Sequence, residues 1–390
     1  MPRADAFLDP SRTADEFFFT LAAGRCHACG MVQLCERVPD AFMFHDTYAY
    51  YSSISTRMAD HFATFAHDVR RRALGPSPLT RDPFVVEIGC NDGIMLDAFA
   101  RAGIRHLGID PAANVLAEAT RKGLTVRHGF FNESTAAEIR SEHGCADAIV
   151  AANVVCHVAD IHSLLAGVRL LLKPSGLFVF EDPYIGAILE QTALDQIYDE
   201  HVFYFSLASV SHVASMHGLE VVDVAAQPVH GGELRYYIAH RGAHTATAAV
   251  QEWLDRESAS GAASAGACER FAARAAGIRD DLRRTVTRLV AEGHRVAGYG
   301  ATSKSSTIIN YCGLGPGEIE YVADVTPGKQ GMVTPGAHIP VRPPEFFRAH
   351  YPDYAILFAW NHAEEIMGKE TAFTSTGGRW ITYVPAVTVT

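Results

Sequence analysis

No stretch of this 390-residue chain approaches an unbroken apolar span of membrane length, so no membrane-crossing helix is expected. The opening run MPRADAFLDPSRTADEF lacks a basic segment followed by an apolar one, and it reads as no secretory signal. Positive charge is scarce. Lys and Arg number 33 against 44 Asp and Glu, a net charge of −11, which argues against a general binder of nucleic acid or anionic membrane. Closely spaced cysteines are scarce as well. Of the eight, only Cys26 and Cys29 form a close pair, and several others sit in apolar runs, so a reduced, cytoplasmic chain fits better than a disulfide framework. Neither GxGxxG after a strand nor GxxxxGK[ST] occurs, so the usual fingerprints of dinucleotide and P-loop sites are missing.

What is present is organised around Phe84–Gly93, FVVEIGCNDG. A short apolar strand carrying Glu87 runs into a glycine turn (Gly89 to Gly93, with Asn91 between) and then into the amphipathic helix IMLDAFARAG. Such a turn lets a ligand approach the backbone, with a helix N-terminus aimed at it. The next strand, HLGID, ends in Asp110, where a Rossmann-like sheet grips the two hydroxyls of a ribose. An acid before the first glycine suits S-adenosylmethionine (SAM) better than a dinucleotide, because Glu87 can sit near the ligand's cationic amino-acid end. The plain alternative is a bare strand–helix turn.

Residues 84–182 alternate strand and helix, which gives a doubly wound parallel sheet with its ligand at the C-terminal strand ends. Phe130 and Phe131 close the third strand, where an adenine could be flanked. Asn153 and His157 follow the fourth, facing the point of methyl delivery, or serve as satisfied loop groups. After the fifth strand, Tyr198-Asp199-Glu200-His201 is the most chemically loaded run in the chain. A helix over 208–217 and strands over 219–225 and 233–239 extend the sheet in antiparallel fashion, with a turn at His230-Gly231 that backbone or ligand could approach.

Residues 243–294 read as helices interrupted at 258–266. A second strand–turn–helix follows in GYGATSKSS, where Gly300, Ser303 and Lys304 favour a phosphate or diphosphate; Asn361 and His362 end a later strand at the same edge. The expected divisions are 1–54, 55–242 and 243–390. In the first, Cys26-x-x-Cys29 has the shape of a zinc knuckle, yet it supplies half of the four ligands that structural zinc takes. Next, Tyr48, Tyr50, Tyr51, Ser52 and Ser53 form a run of hydroxyls that covers a polar ligand or merely packs.

Taken together, AGRCHACGMVQL, MFHDTYAYYSS, VEIGCNDGIML, ANVVCHV, VFEDPYIG, LDQIYDEH, PVHGGELRY, GYGATSKS, TPGAHIPV and LFAWNHAEEI resemble the SAM-dependent sugar C-methyltransferases of antibiotic deoxysugar pathways. The likeness is greatest to those acting at C-3′ of dTDP-linked 4-keto-2,6-dideoxyhexoses. The resemblance implies an N-terminal zinc module, a central SAM domain, and a C-terminal Rossmann-like lobe that helps hold a nucleotide sugar. It implies a base at His201 with Tyr198 and Glu200 beside it, a pocket tyrosine placed at Tyr50 (Tyr48 or Tyr51 being possible), and a pocket histidine at His157. In that family two cysteine pairs bind zinc, and the first pair lies upstream of a segment resembling PRADAFL, so zinc is doubtful in this polypeptide as it stands. C-5′ methylation, O- or N-methylation, a nicotinamide-dependent nucleotide-sugar oxidoreductase and a non-enzymatic SAM- or nucleotide-sugar-binding regulator are the rival readings. A monomer is favoured.

Overall fold

The computed structural model describes residues 1–39, 43, 52, 56–75, 82–262 and 264–390. Two short strands, Ala23–Arg25 (β1) and Val32–Leu34 (β2), and the helix Thr56–Val69 (α1) precede the alternating region. That region runs Phe84–Ile88 (β3), Ile94–Arg101 (α2), Arg105–Asp110 (β4), Ala113–Arg121 (α3), Val126–His128 (β5), Glu133–His143 (α4), Ala146–Ala152 (β6), Ile161–Leu171 (α5) and Leu172–Pro183 (β7). There follow Ile185–Gln191 (α6), Phe203–Tyr204 (β8), Leu207–Met216 (α7), Leu219–Gln227 (β9), Glu233–His240 (β10), Ala248–Ser260 (α8) and Ala265–Ala291 (α9). The last part comprises Val296–Tyr299 (β11), Ser303–Cys312 (α10), Val322–Ala323 (β12), Val341–Arg342 (β13), Pro344–Ala349 (α11), Tyr354–Leu357 (β14), Ala363–Lys369 (α12), Thr371–Ser375 (α13), Arg379–Thr382 (β15) and Thr388–Val389 (β16).

The central sheet has the order β5-β4-β3-β6-β7-β10-β9, its first five strands parallel and the last two added antiparallel. Every residue of β3 is buried, as expected for a parallel strand covered on both faces. Its alternate side chains serve two cores. Phe84, Val86 and Ile88 face Ile149, Leu164 and Val168, whereas Val85 joins Phe62, Phe65, Met95 and Phe99 on the other side. The residues Phe62, Phe65, Ala66 and Val69 repeat at helical spacing, so one stripe of α1 packs on that second face.

A second sheet, β13-β12-β11-β14-β15-β16, is parallel except for its last strand. Helix α9 feeds it, with Phe271, Ala275, Ile278, Leu282, Val286 and Leu289 buried along one stripe. The break expected over 258–266 is present. Gly261 closes α8 at φ 63°, and the Ser264 side chain caps α9. A small antiparallel sheet, β1-β2-β8, ties the N-terminal part to the segment after Gln191. Val32, Leu34, Ile185, Leu194 and Tyr204 share a single core with Ile308, Ile356 and Tyr383. The YDEH run is therefore clamped between the two large sheets rather than hung from one.

Candidate active site

A cavity of about 970 Å³ opens where the C-terminal ends of both sheets face one another. That volume is at the upper end for small-molecule sites and accommodates two ligands side by side. On the central side it is lined by Ser52, Gly89, Asn91, Asp110, Phe130, Phe131, Asn153 and His157. Gln196, Tyr198, Glu200, His201 and His230 line its floor, and Gly300, Ser303, Lys304, Asn361 and His362 the opposite wall. Four residues expected at the site line the cavity from a distance in sequence that no motif spans: His157, His201, Lys304 and His362.

The first glycine turn is held by Asp110. Its Oδ2 accepts the Asn91 N–H at 2.9 Å and its Oδ1 the Ala112 N–H at 2.9 Å. Burial raises the Asp110 carboxyl above its usual range, and these two bonds pull back toward the ionised form. Asn91, at φ 50°, accepts the Ser52 and Asp92 N–H groups on Oδ1. Gly89 lines the cavity, but it must be glycine for another reason too: a Cβ would lie 2.3 Å from a methyl of Val154.

Other expected residues stand elsewhere. Gly93 does not line the cavity; it sits at φ 79° against Leu124 and Ala119, so packing between α2 and α3 is what demands glycine there. Gly231 likewise lies under the Trp360 ring, 2.6 Å from where its Cβ would be. Glu87 lies behind the lining, 4 % exposed, with Oε2 lacking a partner among the described residues. Burial, then the charges of Asp110 and Asp92, push its carboxyl well up. Tyr48, Tyr50, Tyr51 and Ser53 lie outside the described residues.

His201 is 4 % exposed and bonded at both nitrogens. Nδ1 is 2.9 Å from the Gln196 carbonyl and Nε2 is 2.7 Å from the Tyr198 hydroxyl. Burial, reinforced by His157 and Lys304, holds its pKa well below the ordinary histidine value. The His157 ring stacks on it at 5.2 Å, and burial drops His157 to about 4. Both imidazoles are neutral at physiological pH. Burial, then the charges of Asp5 and Asp199, push the Glu200 carboxyl well up, favouring its neutral form in the cavity floor.

Cys156, His157 and His201 form the one group of three potential metal ligands among the described residues. Burial and the neighbouring Asp182 carboxyl raise the Cys156 thiol well above its usual range, and Asp182 itself is pushed to about 8. Burial thus favours the neutral form of all three groups, which makes this side of the cavity a neutral wall.

Sequence reasoning missed several lining groups. Asp324, at the tip of β12, accepts the Ala301 N–H at 2.6 Å on Oδ2 and the Thr326 N–H at 2.7 Å on Oδ1. This repeats the Asp110 arrangement at the second glycine turn. An acid just after the second strand of a strand–turn–helix–strand unit was the available signal. Lys329 donates to Asp5 at 2.5 Å and to the Ala301 carbonyl at 3.1 Å, so the N-terminal segment reaches the cavity. Nothing local announces that contact. Burial holds Lys304 below its usual pKa, against the opposing pull of the Asp195 and Glu233 carboxyls. Asp195 is itself fixed by Trp360 and Tyr383.

A profile of a methyltransferase domain matches residues 57–224, and a profile of a C-methyltransferase C-terminal domain matches residues 228–385. The C-methyltransferase NovU of Streptomyces niveus is 37 % identical over 379 residues, 97 % of this chain and 89 % of that protein. This chain belongs to the SAM-dependent C-methyltransferases. A ubiquinone biosynthesis O-methyltransferase of Rhodopseudomonas palustris is 28 % identical over 30 % of the chain and 49 % of its own length. A solved SAM-dependent methyltransferase from Clostridium acetobutylicum aligns over 47 % of this chain and 92 % of its own, at 13 % identity and a TM-score of 0.38, too loosely to carry an argument. The family assignment sets aside the nicotinamide oxidoreductase and the non-enzymatic regulator.

SAM fits the central turn of the C-methyltransferase, whose Asp110 lines the cavity and whose Glu87 carries an orphaned oxygen nearby. Zinc does not fit in the same way. Cys26 and Cys29 sit on the turn between β1 and β2, and backbone N–H groups of Cys29 and Ala28 lower the Cys26 thiol as in a knuckle. Among the described residues, however, no third His, Cys, Asp or Glu joins the pair, and two thiolates do not complete a four-ligand site. No helix of the described residues is long and apolar enough to cross a membrane.

Proposed function

We propose that the enzyme methylates C-3′ of a dTDP-linked 4-keto-2,6-dideoxyhexose, with His201 as the base, in the assembly of an antibiotic's deoxysugar. The observation that carries this reading is a buried imidazole, its pKa held well below the ordinary histidine value, in a cavity shared by the Asp110 turn and the Lys304 turn. Carbon accepts a methyl group only once it is electron-rich. A neighbouring ketone acidifies the C–H, and a neutral histidine is a suitable base for that proton. Bound SAM supplies the electrophilic methyl group. Asp110 and the Asn91 turn hold the donor's ribose side, while Phe130 and Phe131 flank its base. Ser52, Ser53, His230, Gly300, Ser303, Lys304, Asn361 and His362 hold the nucleotide sugar. Removal of the proton leaves an enolate whose charge is shared with the 4′-keto oxygen, which Tyr50 or His157 stabilises as an oxyanion hole would. Holding both ligands in line supplies much of the acceleration.

On the same footing we take 1–54, 55–242 and 243–390 as the three units of a monomeric, cytoplasmic enzyme. The test is incubation with SAM and the dTDP-4-keto sugar in deuterated water, followed by NMR. Methyl appears at C-3′, and His201→Asn lowers turnover by about 10²–10⁴-fold with SAM binding nearly intact. Undiminished turnover of that variant refutes the base, and methyl or deuterium at C-5′ relocates the reaction.

A further inference from the structure

His201 presents a difficulty as a base acting alone. A carbonyl oxygen only accepts hydrogen bonds, so the 2.9 Å contact from Nδ1 to the Gln196 carbonyl fixes the proton on Nδ1. The lone pair is then on Nε2, and Tyr198, 2.7 Å away, donates its phenolic proton to it. The basic nitrogen is already covered. The order of burial points the same way: His201 is buried, whereas Tyr198 is only half-buried, and both line the cavity. The rings lie 4.1 Å apart, too close to admit a substrate between them.

We infer that Tyr198 and His201 act as a two-residue relay, in which the Tyr198 oxygen, not the imidazole, meets the substrate C–H. This rests on the carbanion chemistry proposed above. As the C–H bond breaks, its proton passes to the Tyr198 oxygen and its electron pair stays on the substrate as the enolate. In the same event the Tyr198 proton moves to His201 Nε2. The net change is one C–H bond lost and one N–H bond gained, and reversal of the two transfers toward water resets the pair. Of the ionisable groups that lower the His201 pKa, namely His157, Lys304 and His230, Lys304 carries the standing positive charge. Lys304 disfavours the imidazolium in the resting enzyme, and the negative charge of the enolate offsets that effect as it forms.

The test compares the full-length Tyr198→Phe and His201→Asn variants for turnover and for exchange of the sugar C–H in deuterated water. A relay predicts that both lose about 10²–10⁴-fold with SAM affinity retained. If Tyr198 merely covers the base, the Phe variant frees Nε2 and keeps or raises the rate while His201→Asn is inert; that result overturns the relay. If both variants turn over normally, the base reading itself falls, and the relay with it. A nearly isosteric variant with 3,5-difluorotyrosine at position 198 guards against misfolding. Its more acidic phenol shifts the limb of the pH–rate profile toward acid, and an unmoved limb also refutes the relay.

Discussion

Acidification should weaken the fold through His157 in a measurable way. Its pKa falls from 6.5 to about 4 on folding because the charged imidazolium would lose water. A depressed histidine leaves the unfolded chain binding the proton first, so its contribution to stability is present above about pH 6.5 and is lost as pH falls toward about 4. At about pH 5 this amounts to about 2 kcal/mol at most, since one pKa unit is worth about 1.4 kcal/mol and cleft water screens part of it. Asp182, raised to about 8, works in the opposite direction: the native state holds the proton, so stability declines as pH rises from about 4 to about 8. Wild-type pH dependence is the sum of such trends, and only a difference isolates one group. Urea unfolding of wild type and His157→Gln at about pH 7.5 and pH 5 provides it. The variant should lose up to about 2 kcal/mol less than wild type over that interval. Equal losses would show that His157 takes its proton in the folded protein as readily as in water, and the account of the cavity as a neutral wall would fail.

Gly93→Ala combines a backbone at φ 79° with a new Cβ 2.3 Å from a methyl of Leu124, and should cost about 2–5 kcal/mol in urea or thermal unfolding. Because Gly93 does not line the cavity, SAM affinity of the folded fraction should stay near wild type; a selective loss of affinity would place the residue back at the ligand. Asp110→Asn replaces a charged acceptor of two backbone N–H bonds and should weaken SAM binding at least tenfold by calorimetry, a hydrogen bond to a charged group being worth about 1.5–3 kcal/mol. Unchanged affinity would remove Asp110 from the cofactor site.

The two glycine turns are legible in the amino-acid sequence because their signals are local. In FVVEIGCNDG an apolar strand, positive-φ positions and the N-cap of a helix occupy ten consecutive residues, and HLGID places its acid at a fixed offset. What each glycine does is not legible there. Gly93 and Gly231 look like ligand-facing turns in sequence, yet Leu124 and Trp360 are what exclude a side chain at those positions. Asp324 escapes notice although it repeats Asp110, because β12 is only two residues long and gives a weak strand pattern. Asp5 and Lys329 meet across 324 positions, beyond the reach of any spacing argument.

Periodicity and backbone sterics over a few residues are enough to specify the doubly wound elements, the acid at the strand tip and the chemical loading of the YDEH run. How that run is used is a matter of three-dimensional packing. Only the joining of Leu194, Tyr204 and Ile308 into one core brings Lys304 near His201, and only the Gln196 carbonyl and the Tyr198 hydroxyl decide which nitrogen holds the lone pair. Hydrogen-bond direction and burial depend on what surrounds a side chain in space, and a residue's neighbours in the chain do not specify that.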